Sequence, residues 1–217
     1  GISIFIFLFA LLALRIPIGV SLIVCGILGI AALSGIDTVL SQMKTAAFFR
    51  FSTYELSVIP LFLLMGQFSL LAGISSNLFE ACNTWFGHKK GGLAIATIGA
   101  CAGFGSITGS SLATASTMAE IALPEMKKYN YSNALSTGTL AAGGTLGILI
   151  PPSIALVIYS ILAEQNITAM FTAALVPGLL AALGYIIAIN IYVKIFPKSA
   201  PTGKQADLTS KIISLKK

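Results

Sequence analysis

Apolar residues along this chain fall in long unbroken runs, with the polar residues clustered between them. Such runs show neither the alternation of a half-buried strand nor the one-sided stripe of a soluble helix. Residues 2 to 14 and 16 to 34 are apolar and part at Arg15-Ile16-Pro17, which predicts two membrane spans meeting at a tight basic turn. From 36 to 55 the pattern changes: Val39, Leu40, Met43, Ala46, Ala47 and Phe48 recur at helical spacing among Asp37, Gln42, Lys44 and Arg50. That pattern predicts an amphipathic helix lying on the membrane surface. Residues 56 to 72 supply a third span with Pro60 near its start, and 75 to 87 form a second amphipathic segment bearing the sole tryptophan, Trp85.

Two later runs are interrupted. Residues 91 to 126 are apolar between Lys89-Lys90 and Lys127-Lys128, and a single helix cannot return both basic ends to one side. Its middle, Gly103-Phe104-Gly105-Ser106-Ile107-Thr108-Gly109-Ser110-Ser111, favours turning, so the pattern predicts a re-entrant helical hairpin with arms of about 15 residues, short for a full crossing. Residues 132 to 163 are broken by Gly143-Gly144-Thr145-Leu146-Gly147-Ile148-Leu149-Ile150-Pro151-Pro152-Ser153, where two prolines remove donors and glycines weaken the helix. That predicts a discontinuous helix, unwound across this stretch and resuming near Ser153. Residues 167 to 196 return as a last span, with Pro177-Gly178 a kink, followed by a basic tail.

The expected organisation is therefore all-α. Residues 1–74 hold transmembrane helices of scaffold type with a surface arm at 36–54, and 75–90 form a cytoplasmic amphipathic arm. The hairpin occupies 91–128, the discontinuous helix 132–164, the last span 167–196 and a cytoplasmic linker or tail 197–217. Composition sharpens this picture into a class. Of 217 residues 56% are hydrophobic and only 9% charged, too few to cover a soluble surface, which excludes a soluble enzyme, a disordered chain and a nucleic-acid binder. The net charge of +6 comes from lysines between the runs and in the tail, which read as topology signals rather than a polyanion site. Propagated from the lysine pairs, they place the N-terminus outside and the tail in the cytoplasm. Lys44 and Arg50 then fall outside, against the rule. Cys25, Cys82 and Cys101 follow no metal or redox spacing, so neither a disulfide nor a cofactor is expected. A start at Gly1 without a charged leader region reads as an incomplete chain rather than a signal peptide.

The candidate chemistry lies at the two interruptions, because unpaired backbone groups in hydrocarbon cost several kcal/mol each unless they are buried in protein or line a cavity. Glycine carbonyls with the hydroxyls of Ser106, Ser110, Ser111, Thr114, Thr145 and Ser153 make a hard-oxygen set suited to a small cation such as Na⁺. Helix N-termini near Ser110 and Ser153 offer positive ends to a carboxylate. The competing reading is close packing, since Gly99-x-x-x-Gly103 and Gly105-x-x-x-Gly109 are small-xxx-small patterns. Catalysis lacks its parts: His88 stands alone beside Lys89, Asp37 and Asp207 lie outside the spans, and no HExxH or Walker A motif occurs.

Three strings carry a resemblance: Gly109-Ser110-Ser111-Leu112-Ala113-Thr114-Ala115, Ile121-Ala122-Leu123-Pro124-Glu125-Met126, and Ala141-Ala142 leading into the Gly143 to Ser153 string above. With Ile59-Pro60-Leu61-Phe62-Leu63-Leu64-Met65-Gly66 they resemble the large membrane subunit of tripartite ATP-independent periplasmic (TRAP) transporters, of the four-carbon dicarboxylate permease type. The resemblance implies an inverted-repeat elevator transporter of the bacterial inner membrane, with only the first repeat present here. It implies Na⁺ as coupling ion, a small organic acid anion as substrate (dicarboxylate, sugar acid or keto acid), a small membrane subunit and a periplasmic substrate-binding protein. By the same likeness a Na⁺ site lies between Ser106, Gly109, Ser110 and Ser111 at the hairpin tip and Gly144, Thr145, Gly147 and Ile150 of the broken helix. The alternatives are a relative of divalent-anion/sodium symporters that needs no binding protein, and a membrane scaffold that transports nothing.

Overall fold

The computed structural model describes residues 2–52 and 54–201, without the side chains at 46, 47, 49 to 51 and 55. The expected tail beyond 201 and the side chains of Ala46, Ala47 and Arg50 in the expected surface arm lie outside the described residues. Among those described, the chain is ten α-helices with two short 3-10 turns and no strand, as the unbroken apolar runs require. It divides into two compact units, Gly1–Leu56 and Ser57–Lys217.

The first unit comprises α1 (Ile2–Ala13), α2 (Ile18–Ser34) and α3 (Ile36–Phe51). Arg15 closes α1 in the left-handed conformation at φ +61°, with Ile16 N–H donating to Leu11 O at 3.2 Å and Arg15 N–H to Leu12 O at 3.0 Å. This is a Schellman close, built on arginine where glycine is usual, at a cost of about 1 kcal/mol. Pro17 then opens α2 with its ring already at a helical φ and no amide to satisfy. Within the unit Gly29 makes room for α1, because a methyl group there would sit 2.9 Å from Ile4 Cδ1.

The second unit begins with α4 (Val58–Leu71), whose Pro60 is its third residue and so has no i−4 acceptor to miss. At Gly73, φ +73°, the chain bends by 62° into α5 (Ile74–Phe86). Next come α6 (Gly92–Thr108), α7 (Ser111–Lys128), α8 (Asn133–Leu149), α9 (Ile154–Leu162) and α10 (Ile167–Ile195). With 29 residues, α10 is roughly 43 Å long at 1.5 Å per residue, long and apolar enough to cross a bilayer alone. The bent pairs α4–α5 and α8–α9, the latter at 44°, are each apolar and long enough to cross as one broken span. The fold is that of an all-α polytopic membrane protein.

Small residues dictate the centre of this unit. Helix α6 packs against α4, α5, α7, α8 and α10, and from Gly92 to Ile98 every residue is buried. Where α6 crosses α8, a methyl group on Gly105 would stand 2.7 Å from Gly147 Cα. One on Gly147 would meet Thr114 Oγ1 at 2.7 Å and Ser110 O at 2.8 Å, and one on Gly144 would meet Ala115 Cβ at 2.6 Å. Three backbones thus meet with only the Thr114 hydroxyl and the Ala115 methyl group of α7 set between them, which gains dispersion where no hydrophobic driving force exists between helices in lipid.

These contacts correct the expected extent of both interruptions. The glycine-rich run 103–111 stays helical through Thr108, so the hairpin arms are 17 and 18 residues and only Gly109 and Ser110 turn. Likewise α8 continues through Leu149 and only 150–153 leave the helical path. The glycines are helical because packing, not turning, is their use.

The hairpin is closed at its base. Asn130, at φ +55°, ends α7 in a second Schellman arrangement, with Tyr131 N–H donating to Met126 O at 2.9 Å. Tyr131 then turns its buried hydroxyl to the start of α6, where it accepts from Leu93 N–H at 3.3 Å. The next residue's amide, Ser132 N–H, donates to Ser199 O beyond α10 at 3.0 Å. Burial raises the Tyr131 pKa above its ordinary 10, partly offset by the Leu93 hydrogen bond.

Two predictions follow from this packing. Gly147→Ala, which pushes a methyl group onto the Ser110 backbone, is expected to cost about 3 kcal/mol or more, whereas Gly184→Ala, with nothing within 4 Å, gains about 1 kcal/mol of helix propensity; denaturant unfolding of the two variants in detergent checks the opposite signs. For Tyr131 the folded state holds its proton beyond the pH at which the unfolded chain releases it. Its contribution is therefore complete below pH 10 and declines as pH rises through the raised folded value. Melting curves across alkaline pH should show this decline, and Tyr131→Phe should flatten it.

Candidate functional site

The two interruptions meet. At the hairpin tip Gly109 caps α6 at φ +60°, its N–H donating to Gly105 O at 2.8 Å. Its carbonyl accepts from Ile154 N–H, the first amide of α9, at 3.3 Å. A methyl group here would lie 3.1 Å from Ile154 N, 3.2 Å from Pro152 O and 3.3 Å from Ser153 Cα, so both the left-handed turn and the contact demand glycine.

Ser110 is extended and caps α7, its Oγ accepting from Ala113 N–H at 3.4 Å. Behind it, the fully buried Thr114 donates from Oγ1 to Ser110 O at 2.7 Å and shares a 2.9 Å hydrogen bond with Thr108 Oγ1. That pair ties the end of α6 to the first turn of α7 and stiffens the tip. Across the junction Ser153, fully buried, takes the N-cap position of α9, yet its Oγ has no hydrogen-bond partner. The interruption 150–153 is held from its other side by α10: Ile150 and Leu149 O crowd Gly178, where a methyl group would stand 2.9 Å from Ile150 Cγ1.

Of the residues singled out in the sequence, Gly109, Ser110, Ser111, Thr114, Gly144, Gly147 and Ser153 come together where α6, α7, α8 and α9 meet. Ser111 contributes its carbonyl beside Gly144. Ile150 borders the junction on the α10 side. The Ser106 hydroxyl lies within α6, bonded to Gly103 O at 2.7 Å. Thr145 faces away from the hairpin: its Oγ1 donates to Ala142 O at 2.7 Å and meets the Tyr185 hydroxyl of α10 at 2.9 Å. Thr108 and Gly178 were not among the expected site residues. Thr108 stood in the same glycine run, and Gly178 beside Pro177 read only as a kink.

Chemically the junction is neutral, made of hydroxyls, carbonyls and two helix N-termini. Hydroxyl and carbonyl oxygens can coordinate a small hard cation, and helix N-termini can face a carboxylate.

A family model for the "Tripartite ATP-independent periplasmic transporter, DctM component" matches residues 5–213. The chain belongs to this family. A C4-dicarboxylate TRAP transporter large permease protein DctM of Pseudomonas aeruginosa is 38% identical over 192 residues, covering 85% of this chain and 44% of that protein. The protein of the same name in Vibrio cholerae is 37% identical over 192 residues, 88% of this chain and 42% of its own. An isethionate TRAP transporter permease protein DctMQ of Oleidesulfovibrio alaskensis is 33% identical, with 81% and 28% covered. The chain thus spans less than half the length of these relatives. DctM-family proteins are inner-membrane transport components rather than enzymes, and this chain has helices long and apolar enough to span a membrane.

Because Gly109 joins the two interruptions, Gly109→Ala is expected to release the tip at a cost of about 1–3 kcal/mol. In a background freed of native cysteines, a cysteine at Ser153 should then react with a small polar thiol reagent about tenfold faster. An unchanged labelling rate would show that the tip does not seal this position.

Proposed function

We propose that this chain works in a Na⁺-coupled secondary transporter that imports small organic anions by an elevator movement. The observation that carries this reading is the Ser153 hydroxyl, fully buried and unpartnered where the α7 and α9 N-termini meet. A hydroxyl oxygen at membrane depth without a donor is a ready cation ligand, and it sits among carbonyls that two broken helices have brought close. The positive helix ends beside it favour the carboxylate or sulfonate of an anion. Relatives named for C4-dicarboxylate and for isethionate support an anionic substrate class without choosing within it.

In this proposal the hairpin, α8 and α9 move as one body, since their interlocked glycine contacts leave no slip plane. The basic base of the hairpin faces the cytoplasm under the positive-inside rule, and the N-terminus lies outside. A periplasmic binding protein delivers the anion and a small membrane subunit completes the assembly.

Sodium titration of uptake in proteoliposomes holding the complete transporter tests the reading. Ser153→Ala is expected to raise the sodium requirement about tenfold, and Ser110→Ala less, since its Oγ already serves a helix cap. Thr145→Val should change it little, its hydroxyl being turned to Tyr185. Equal sodium curves for wild type and Ser153→Ala would remove Ser153 as a ligand, and uptake without a sodium gradient would remove coupling altogether.

A further inference from the structure

Helix α4 passes the hairpin tip at Gly66, where a methyl group would stand 3.5 Å from Thr108 Cα. Beside this crossing a cavity of about 80 Å³ opens between α4 and α7, lined by Gly66, Gln67, Thr108, Ser110, Ala113 and Thr117 among others. Gln67 is exposed and Thr117 half-buried, and among the described residues neither side chain makes a hydrogen bond. The preceding Ser116 bonds back to Leu112 O at 2.9 Å and Ala113 O at 3.2 Å, as a hydroxyl in an apolar helix ordinarily does. Thr117 leaves its hydroxyl open. Unlike the unpartnered hydroxyls of Thr139 and Ser153, that of Thr117 is not shut off from solvent.

This polar face continues into a carboxylate. At about 100° per residue Ala113, Thr117 and Glu120 fall within about 60° of one another around α7. Glu120 is exposed and, among the described residues, has neither an ion pair nor a hydrogen bond, while Lys128 is paired with Glu125 at 3.4 Å. It stands roughly 10 Å of helical rise inside Lys127, and its Cα–Cβ bond tilts toward the helix N-terminus, toward the tip and away from the lysines. One turn later Pro124 has no N–H to give the Glu120 carbonyl. An ionisable group at this depth faces protein or water rather than lipid, and no cation of the described residues answers it. The cavity has room for a few waters, and Gln67, Thr117 and Ser110 supply the polar partners that such waters need.

We propose that this cavity is a water-filled vestibule that holds a monovalent cation between the Gln67 amide oxygen and Thr117 Oγ1, drawn in by the Glu120 carboxylate one turn farther from the tip. Neutral oxygens beside a single carboxylate suit a singly charged ion, since divalent cations gather several carboxylates. Lys127 and Lys128 are exposed and about 10 Å beyond Glu120, a distance over which salt screens them. Lying between the tip and the base of the hairpin, the vestibule is a release path for the coupling ion. That role rests on the sodium-coupled reading above, whereas the vestibule itself does not.

Ala113 provides the reporter, because it lines the cavity and carries none of the three groups. In the complete transporter freed of native cysteines, Ala113→Cys is treated with a trimethylammonium and with a sulfonate methanethiosulfonate, each rate being divided by that of a free thiol. The cationic reagent should react about tenfold faster, and the isosteric Glu120→Gln should bring the two rates together. Saturating sodium should slow the cationic labelling several-fold, and Gln67→Leu combined with Thr117→Val should abolish that protection. Absence of labelling, equal rates with Glu120 in place, a faster anionic reagent, or labelling indifferent to sodium overturns the proposal. Failure of the sodium-coupled reading looks different: uptake would proceed without a sodium gradient while the charge preference of labelling persisted, which keeps the vestibule and removes its role as a release path.

Discussion

One hydrogen bond, from Ile154 N–H to the Gly109 carbonyl, joins two places where the backbone abandons the helix. In hydrocarbon each such group left alone costs several kcal/mol, so a broken helix persists only where another segment answers its exposed amides and carbonyls. Here each break answers the other. Gly109 can approach because it has no Cβ, and 150–153 can stay unwound because α10 offers Gly178 on the far side. The sequence devotes a left-handed glycine, two prolines and a glycine in α10 to one point, and a point so supported is where a ligand can replace what the backbone gave up.

The contact at Gly109 depends in turn on how closely the surrounding helices pack. Were Gly105, Gly144 or Gly147 any larger, α6, α7 and α8 would separate and the tip would no longer reach α9. Thr114 shows the same economy of space: its hydroxyl lies over Gly147 and bonds both Ser110 O and Thr108. Packing and polar satisfaction at the junction are therefore one constraint, and the close packing of the glycine runs falls on residues next to the backbone break of the candidate site.

Much of this was legible in the sequence, and the part that was not has a physical cause. Charge-free runs give spans and lysine pairs give the hairpin ends, because hydrocarbon imposes the same demand on every residue in it. The extent of the breaks was overestimated: glycine weakens a helix in water, but in α6 and α8 neighbouring backbones repay that weakness, a tertiary effect that no local propensity reports. The direction of Thr145 was equally hidden. It follows Gly144 directly, yet one residue turns a helix by about 100°, which carries its hydroxyl from α7 toward Tyr185 of α10. Gly178 and Thr108 lacked any signal beyond their residue type, since their roles exist only once helices distant in sequence are beside them.

The hydroxyls provide the last step. Ser21, Ser69, Thr97, Ser136 and Ser160 are all buried, and each bonds the carbonyl four residues before it. This is how an apolar helix carries serine and threonine without an external partner. Ser153 cannot do so, because at an N-cap it has no preceding helical turn beneath it. Thr139 has that turn and still does not use it. An unpaired hydroxyl imposed by chain geometry and one left over within an intact helix are different phenomena. The first belongs to a break that the fold has built at some cost in backbone order; the second lies inside an intact helix, shut off by the packing around it.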